Sequence, residues 1–328
     1  MQPTPGDVHV NSPLTNISIA YLQDASSFVA DRVFPNIPVS KQSDRYYTYD
    51  RSFFNRDEME ERAPGTESAG SGYELDNTPT YFAPVYAFHH DIPDQVRNNT
   101  DMQVNPDRDA TNLVTHKALI KREKLFVSKY FGGGIWTNDW DGVASSPTGS
   151  QVLQWNDASS IPIENIRAAK RTVLESTGFK PNTLVLGAAV ADALYDHPDI
   201  VDRIKYGQTP GGPADVTTAD LARLFKVDRV FVMESIENTA KEGQTAAHSF
   251  IGGKKALLCY AAPSPGLMVP TAGYTFSWTG HMGAGAMGGR IKKFRIEKEA
   301  SDRVEIEMAF DQKLVSADLG FFWDTIVA

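Results

Sequence analysis

The chain has 328 residues, 41 % of them apolar and 22 % charged, which is ordinary for folded protein and enough to build one large core or two moderate ones. Its 32 basic and 41 acidic residues leave a net charge of -9, so the chain as a whole gains no nucleic-acid affinity by releasing phosphate counterions. Cys259 is its single cysteine, which excludes an intrachain disulfide framework and multi-cysteine zinc sites and fits a reducing cytoplasm; no run nears the roughly 18 apolar residues of a membrane span, and residues 1–11 lack the pattern of a secretion signal.

Residues 1 to about 38 are polar and Pro-rich, relieved by apolar groups at Ile17, Ile19, Tyr21 and Leu22, then at Phe28, Val29, Val33 and Phe34. These are too few for a core and predict an arm that drapes over other protein. Tyr46, Tyr47, Thr48, Tyr49, Phe53 and Phe54 predict one strand, and Tyr81, Phe82, Val85, Tyr86 and Phe88 another, because aromatic and β-branched side chains suit a pleated surface. Between them, residues 56–77 carry Asp57, Glu58, Glu60, Glu61, Glu67 and Glu74 among Gly65, Gly70 and Gly72, with no regular period. The whole reads as a long hairpin, roughly 30 Å of ribbon if each strand has about ten residues. A two-stranded ribbon is marginal by itself in water, so its aromatic face calls for a partner, either a neighbouring molecule or the chain's own main sheet.

Residues 107–131, free of Gly and Pro, predict a helix about 35 Å long. Its apolar residues form three stripes: Leu113, Ile120, Val127 and Phe131; Val114, Ala118 and Leu125; Leu119, Phe126 and Tyr130. One stripe is usual for a surface helix, so three predict contacts on several sides, including a neighbouring subunit. After Trp136, Trp140 and Trp155, residues 156–262 alternate helix and strand: a helix through Ile163, Ile166, Ala169, Val173 and Leu174 stopping at Gly178, a buried strand 183–186, a helix 188–195, a helix capped by Thr217 or Thr218, a strand 229–233, and further strand at 250–251 and 256–260. Finally, Val304, Ile306, Met308 and Phe310 alternate with polar residues as a half-buried strand whose partner is 291–297.

Candidate chemistry is sparse. Gly283, Gly285 and Gly288 have the spacing of a dinucleotide-binding loop, but that loop must open a helix, and residues 290–297 alternate like a strand. The glycines therefore read as a loop between strands. His89, His90, Asp91 and Asp94 are metal-ligating types, yet neighbours on a strand point to opposite faces and Pro93 breaks the run, giving a polar strand end. The acidic stretch 57–74 lacks the spacing of a calcium loop. No Gly-x-Ser-x-Gly elbow occurs, and Cys259, among Leu257, Leu258 and Tyr260, reads as an inert core thiol. The expectation is a non-enzyme with no catalytic, cofactor-binding or metal residue.

The order of arm, tongue, long helix, α/β insertion and return to long strands resembles the Hong Kong 97 fold of tailed-phage major capsid proteins, an α+β fold also found in encapsulin nanocompartments. The likeness is carried by Val33, Phe34 and Pro35 leading to Pro38, Val39 and Ser40; by the run from Arg62 through Ala63, Pro64, Gly65 and Thr66 to Glu67; by Asp91, Ile92, Pro93 and Asp94; and by Asp311, Gln312, Lys313, Leu314 and Val315 with Asp318, Leu319 and Gly320. The resemblance implies an N-terminal arm (1–40), an extended β-hairpin loop (41–92), a peripheral domain (93–155 and 270–328) with a spine helix at 107–131, and an inserted axial α/β domain (156–269). It implies a subunit that self-assembles into hexamers and pentamers of an icosahedral head enclosing double-stranded DNA, contacted non-specifically. Such a head forms in the host bacterial cytoplasm and ends as part of the virion.

The expected contacts to neighbouring subunits are Tyr47, Tyr49, Phe53, Phe54, Tyr81, Phe82 and Tyr86 of the loop, with Phe28 and Phe34 of the arm. The resemblance further implies a portal, a scaffold that is separate because no long charged helix precedes the arm, and a cement protein. Locking is expected to be non-covalent, since Lys41, at the base of the loop, is the only lysine near it. The alternatives are an encapsulin-type cellular compartment and a dinucleotide-binding α/β enzyme using the Gly283 loop.

Overall fold

A computed structural model describes residues 22–100, 105–207, 216–266, 268–282 and 289–328 of the chain. The first part comprises β1 (Asn36–Val39), β2 (Ser43–Arg45), β3 (Thr48–Tyr49), α1 (Arg51–Phe54), β4 (Leu75–Asp76), β5 (Thr80–Phe82), β6 (Val85–Pro93), α2 (Asp94–Asn98) and α3 (Pro106–Tyr130). The middle comprises β7 (Asn138–Val143), β8 (Gln151–Leu153), α4 (Pro162–Thr177), β9 (Thr183–Gly187), α5 (Ala188–Tyr195), α6 (Pro198–Gly207), α7 (Thr218–Phe225), β10 (Arg229–Met233), β11 (Ile236–Asn238), β12 (His248–Phe250) and β13 (Ala256–Cys259). The last part comprises β14 (Gly273–Trp278), α8 (Thr279–Met282), β15 (Gly289–Ile296), β16 (Ser301–Leu314) and β17 (Gly320–Asp324).

Two larger sheets organise these elements. One is mixed and six-stranded, in the order β10-β9-β13-β17-β7-β8. Its central strands β9, β13 and β17 are apolar at most positions because both faces are covered. Leu184, Leu186, Leu258, Phe321 and Trp323 face one core, built with Ile163, Ile166 and Val173 of α4, Leu194 of α5, Ile200 of α6 and Leu221 of α7. The intervening Val185, Leu257, Cys259 and Phe322 face a second core with Phe126 and Tyr130 of α3 and with Val29, Val33 and Phe34 of the N-terminal segment. The two-residue alternation of a strand divides the side chains between the cores. Segments 138–153 and 320–324 join strands from 156–269 in this sheet. Gly320 is required there, since a Cβ would lie 2.1 Å from the Trp136 ring.

The other sheet runs β1-β14-β16-β15, with β6 also paired to β16. Strand β16 is its axis: β6 and β15 flank residues 301–309, and β14 takes over from 310 to 314. Val304, Ile306, Met308 and Phe310 face α3, packing on Ala110, Val114 and Ala118, as the alternation predicted. The opposite face is charged: Glu307 bonds Arg290 and Lys292 at 2.8 and 2.6 Å, and Arg303 grips Asp91 through two bonds of 2.6 and 2.7 Å.

Helix α3 starts where Asn105 accepts the Arg108 amide at 3.1 Å, with Pro106 in the first turn and Asp107 and Asp109 complementing the helix dipole. It buries a single i, i+4 ridge, from Ala110, Val114 and Ala118 on to Phe126 and Tyr130, plus Glu123. The three expected stripes thus resolve into one ridge that meets the β16 sheet at one end and the second core at the other. Leu113, from the first stripe, is left exposed. Helix α4 ends as expected at Gly178, which adopts φ +80° and donates to the Leu174 carbonyl at 2.8 Å.

Candidate functional site

The candidate region is the tongue, residues 41–84. Its root is held: Gln42 and Ala83 exchange hydrogen bonds, from the Ala83 amide at 2.9 Å and from the Gln42 side chain at 3.2 Å. The Tyr81 ring lies flat on Phe276, 4.6 Å away at 9°, and Tyr46 packs on the same ring. Beyond the root only two short ladders remain, β2 with β5 and β3 with β4. Asp50 caps α1 through the Ser52 amide at 2.8 Å, which turns Phe53 and Phe54 into a helical turn rather than the expected strand. Arg51 reaches Asp318 at 2.7 Å, tying this turn to the C-terminal segment.

Past the turn the chain has no cover. Every residue from 54 to 78 is exposed, Met59 to 94 %. Tyr49, Phe54 and Tyr73 gather into a cluster with ring centroids 5.9–6.2 Å apart, yet Tyr73 remains 65 % exposed and Phe54 51 %. Tyr47 and Phe82 are exposed, Phe53 lies half-buried under the Arg56 guanidinium, and Tyr86 is half-buried against Phe310. Of the six carboxylates between Asp57 and Glu74, Glu58 pairs with Arg56 at 3.9 Å and the others make no ion pair among the described residues.

Three of the residues expected to meet a neighbour are occupied within their own chain. Phe28 is 3 % exposed and sits edge-on to His116; Phe34 is 2 % exposed against Phe126 and Tyr130; Tyr81 is buried on Phe276. For the two phenylalanines the reason is that residues 28–34 close the second core, so this part of the arm is structural inside the subunit. The second expected tongue strand also divides. Pro84, which has no amide hydrogen, separates β5 from β6, and β6 leaves the ribbon for the main sheet. Residues 1–21, the tip of the arm, lie outside the described residues.

The seat of residues 28–30 is a feature the sequence reading did not identify. Glu123, fully buried on α3, accepts the Val29 amide at 3.2 and 3.1 Å and the Ala30 amide at 2.9 Å. Burial pushes its carboxyl up to about 7, against the pull of those two amide bonds; Asp31 raises it further, while Arg32 opposes. Arg122, itself largely desolvated, stands beside it. The available signal was that Glu123 is the lone acid in the run Lys121, Arg122, Glu123, Lys124.

The candidate chemical groups have other roles. Asp91 is held by Arg303, which keeps its carboxyl below the usual range, and Asp94 is held by Arg295 through two bonds of 2.5 and 2.6 Å. Both belong to the polar end of β6 and to α2 directly after it. Cys259 is buried, and burial pushes its thiol up to about 12, so no thiolate nucleophile is present at neutral pH. Gly283, Gly285 and Gly288 lie outside the described residues.

Comparisons with known proteins bear on this geometry. Residues 148–272 match the family described as phage major capsid protein E. The chain is 28 % identical to the major capsid protein of Pseudomonas phage JBD67 over 320 residues, covering 97 % of each chain, and 22 % identical to that of Burkholderia phage BcepMu, covering 95 % of each. In fold it is similar to a phage-related protein from Bordetella bronchiseptica (TM-score 0.67, 18 % identity, 93 % of each chain covered). It is also similar to the capsid of cyanophage P-SCSP1u (0.59, 8 %, 98 % of this chain and 94 % of that one) and to an encapsulin from Synechococcus elongatus (0.56, 12 %, 95 % and 92 %). In sequence along nearly its whole length the chain is thus similar to phage major capsid proteins, and it shares a mixed α/β fold with phage capsids.

Proposed function

We propose that the chain assembles as hexamers and pentamers into the icosahedral head of a tailed phage, in the Hong Kong 97 manner, and encloses double-stranded DNA. The observation that carries this reading is the tongue: an aromatic cluster at Tyr49, Phe54 and Tyr73 that its own subunit leaves in water. Fully covering one such side chain is worth about 1.5–3 kcal/mol. Each contact is weak, and closure of a shell multiplies them. In this reading residues 1–40 are the arm, 41–92 the extended loop, 93–155 with 270–328 the peripheral domain around α3, and 156–269 the axial domain. The burial of Phe28 and Phe34 narrows the arm's outward role to residues before them.

The role is structural rather than catalytic. Locking between subunits is non-covalent, through tongues and arms, with a separate scaffold, a portal and a cement protein as partners; assembly takes place in the host cytoplasm and the protein ends in the virion. A cellular compartment is the second reading. It draws on the encapsulin-like fold alone, whereas the phage reading also has relatives in sequence. A compartment would co-purify with a cargo enzyme instead of a portal.

Deleting residues 57–77 tests the proposal. The expected outcome is a soluble, folded subunit that forms no normal shells under negative-stain microscopy. Shells of wild-type form and number from the deleted protein would overturn it.

A further inference from the structure

On a chain with a net charge of -9, one surface has the opposite sign. A cleft of about 970 Å³ opens between α4, the end of α7 and the segments around Pro181 and Pro263. Six cations line it: Arg167, Lys170, Arg171, Lys180, Lys226 and Arg229. Asp228 is the one carboxylate among the lining residues.

The fold concentrates these charges against their mutual repulsion. Arg167, Lys170 and Arg171 occupy positions i, i+3 and i+4 of α4 and so share one face, an arrangement that costs a helix stability when the charges are alike. Lys180 follows the left-handed Gly178 that ends this helix, and Lys226 is itself left-handed, at φ +53°, where α7 stops. Lys170 is anchored, donating to the Phe225 carbonyl at 2.8 Å and to the Lys226 carbonyl. Burial pushes its ammonium group down, and Lys180 and Lys226 push it down further, so the neighbouring cations lie within electrostatic reach of it. Arg229 bonds the Arg32 carbonyl and the Thr183 hydroxyl. Arg167, Arg171, Lys180 and Lys226 form no ion pair among the described residues, and their side chains are exposed.

We infer that this cleft binds the phosphate backbone of nucleic acid, and that it is where the shell touches its packaged duplex. The identity of the polyanion rests on the shell reading; the charge and shape of the cleft do not. Three of the six cations are arginines, whose forked donors match phosphate oxygens in pairs. The six stand on α4, on the turns that end α4 and α7 and at the start of β10, as a fixed phosphate track requires, and such a local contact reads no sequence. An acidic chain can therefore contact DNA locally, through a cleft whose lining holds six cations and one carboxylate.

The test measures binding of a short labelled DNA duplex to unassembled full-length subunits as salt is varied. In the triple variant Arg167→Gln, Arg171→Gln and Lys180→Gln, the plot of log affinity against log salt should be shallower by about 2.7, so that wild type loses roughly 40-fold more affinity than the variant between 50 and 200 mM salt. The double variant Arg167→Lys, Arg171→Lys keeps the charge and should keep the wild-type slope, and both variants should melt with wild type. Equal slopes for wild type and the triple variant would overturn the inference. So would a peptide of residues 56–77 that binds the cleft more tightly than the duplex, since the occupant would then be the acidic tongue of a second copy. Failure of wild type to form shells would refute the shell reading alone, because duplex binding is scored before assembly.

Discussion

On β17 Phe321, Phe322 and Trp323 are consecutive and all buried, with the Phe321 and Trp323 rings 4.7 Å apart; on the tongue Tyr49, Phe54 and Tyr73 cluster at 5.9–6.2 Å and stay in water. Ring-to-ring contact is available in both places. What differs is the number of layers. Strand β17 lies in a sheet with a helix layer on one side and a second core on the other, whereas the tongue is a ribbon with no second layer over its aromatic cluster. Aromatic side chains thus hold the subunit together in one region and are left in water by their own chain in the other.

That contrast can be broken by substitution. The largest effect belongs to Trp323→Ala, which removes a ring buried against Trp155 and Phe321 and should cost about 3–5 kcal/mol, read as a lower denaturation midpoint of the isolated subunit. Next comes Glu123→Ala, which strands two buried amides and should cost about 1–3 kcal/mol, since removing the desolvated carboxyl offsets part of the penalty. Here pH sharpens the result. With the native carboxyl held near 7 and its ordinary value 4.5, the folded state keeps a proton that the unfolded chain gives up between those values. Stability should therefore fall as pH rises from about 4.5 to 7 and level off above, and Glu123→Gln should flatten that part of the profile while keeping an acceptor for Ala30. The smallest effect is expected from Tyr49→Ser, Phe54→Ser and Tyr73→Ser together: within about 0.5 kcal/mol for the subunit, but with shell formation lost. A clearly lowered melting temperature for this triple variant would mean that the tongue belongs to the subunit's own core.

Much of the fold was legible because its signals are local. Gly178 ends α4 and Thr217 caps α7 through a reciprocal bond with Asp220, whereas Asn105 and Pro106, which start α3 just ahead of the expected residue 107, were not read as its cap. The misreadings have a common cause, in that propensity was outweighed by a neighbour. Phe53 and Phe54 favour a strand in isolation, but the Asp50 cap winds them into α1. Helix α6 escaped notice although Ile200, Val201 and Ile204 carry its apolar face, since it follows α5 after only a short break at His197. Phe28 and Phe34 looked free because nothing near them in sequence could cover them; their cover is α3, about ninety residues on. Of the candidate contact set, the exposed tongue aromatics could be read from composition. Glu123 and the cleft cations depend on which helix faces meet, and a single strand of letters does not contain that.

The return leg of the tongue, β5, runs through Ala83 and Pro84 directly into β6, and β6 is laddered to β16 along its whole length. A neighbour that tugs on the tongue therefore loads β6 along its own axis. Ladder bonds stressed in that direction share the force and must slip together, whereas a flap lifted from its end would yield bond by bond. A pull on the tongue directed along β6 would thus be spread over the nine-residue ladder with β16.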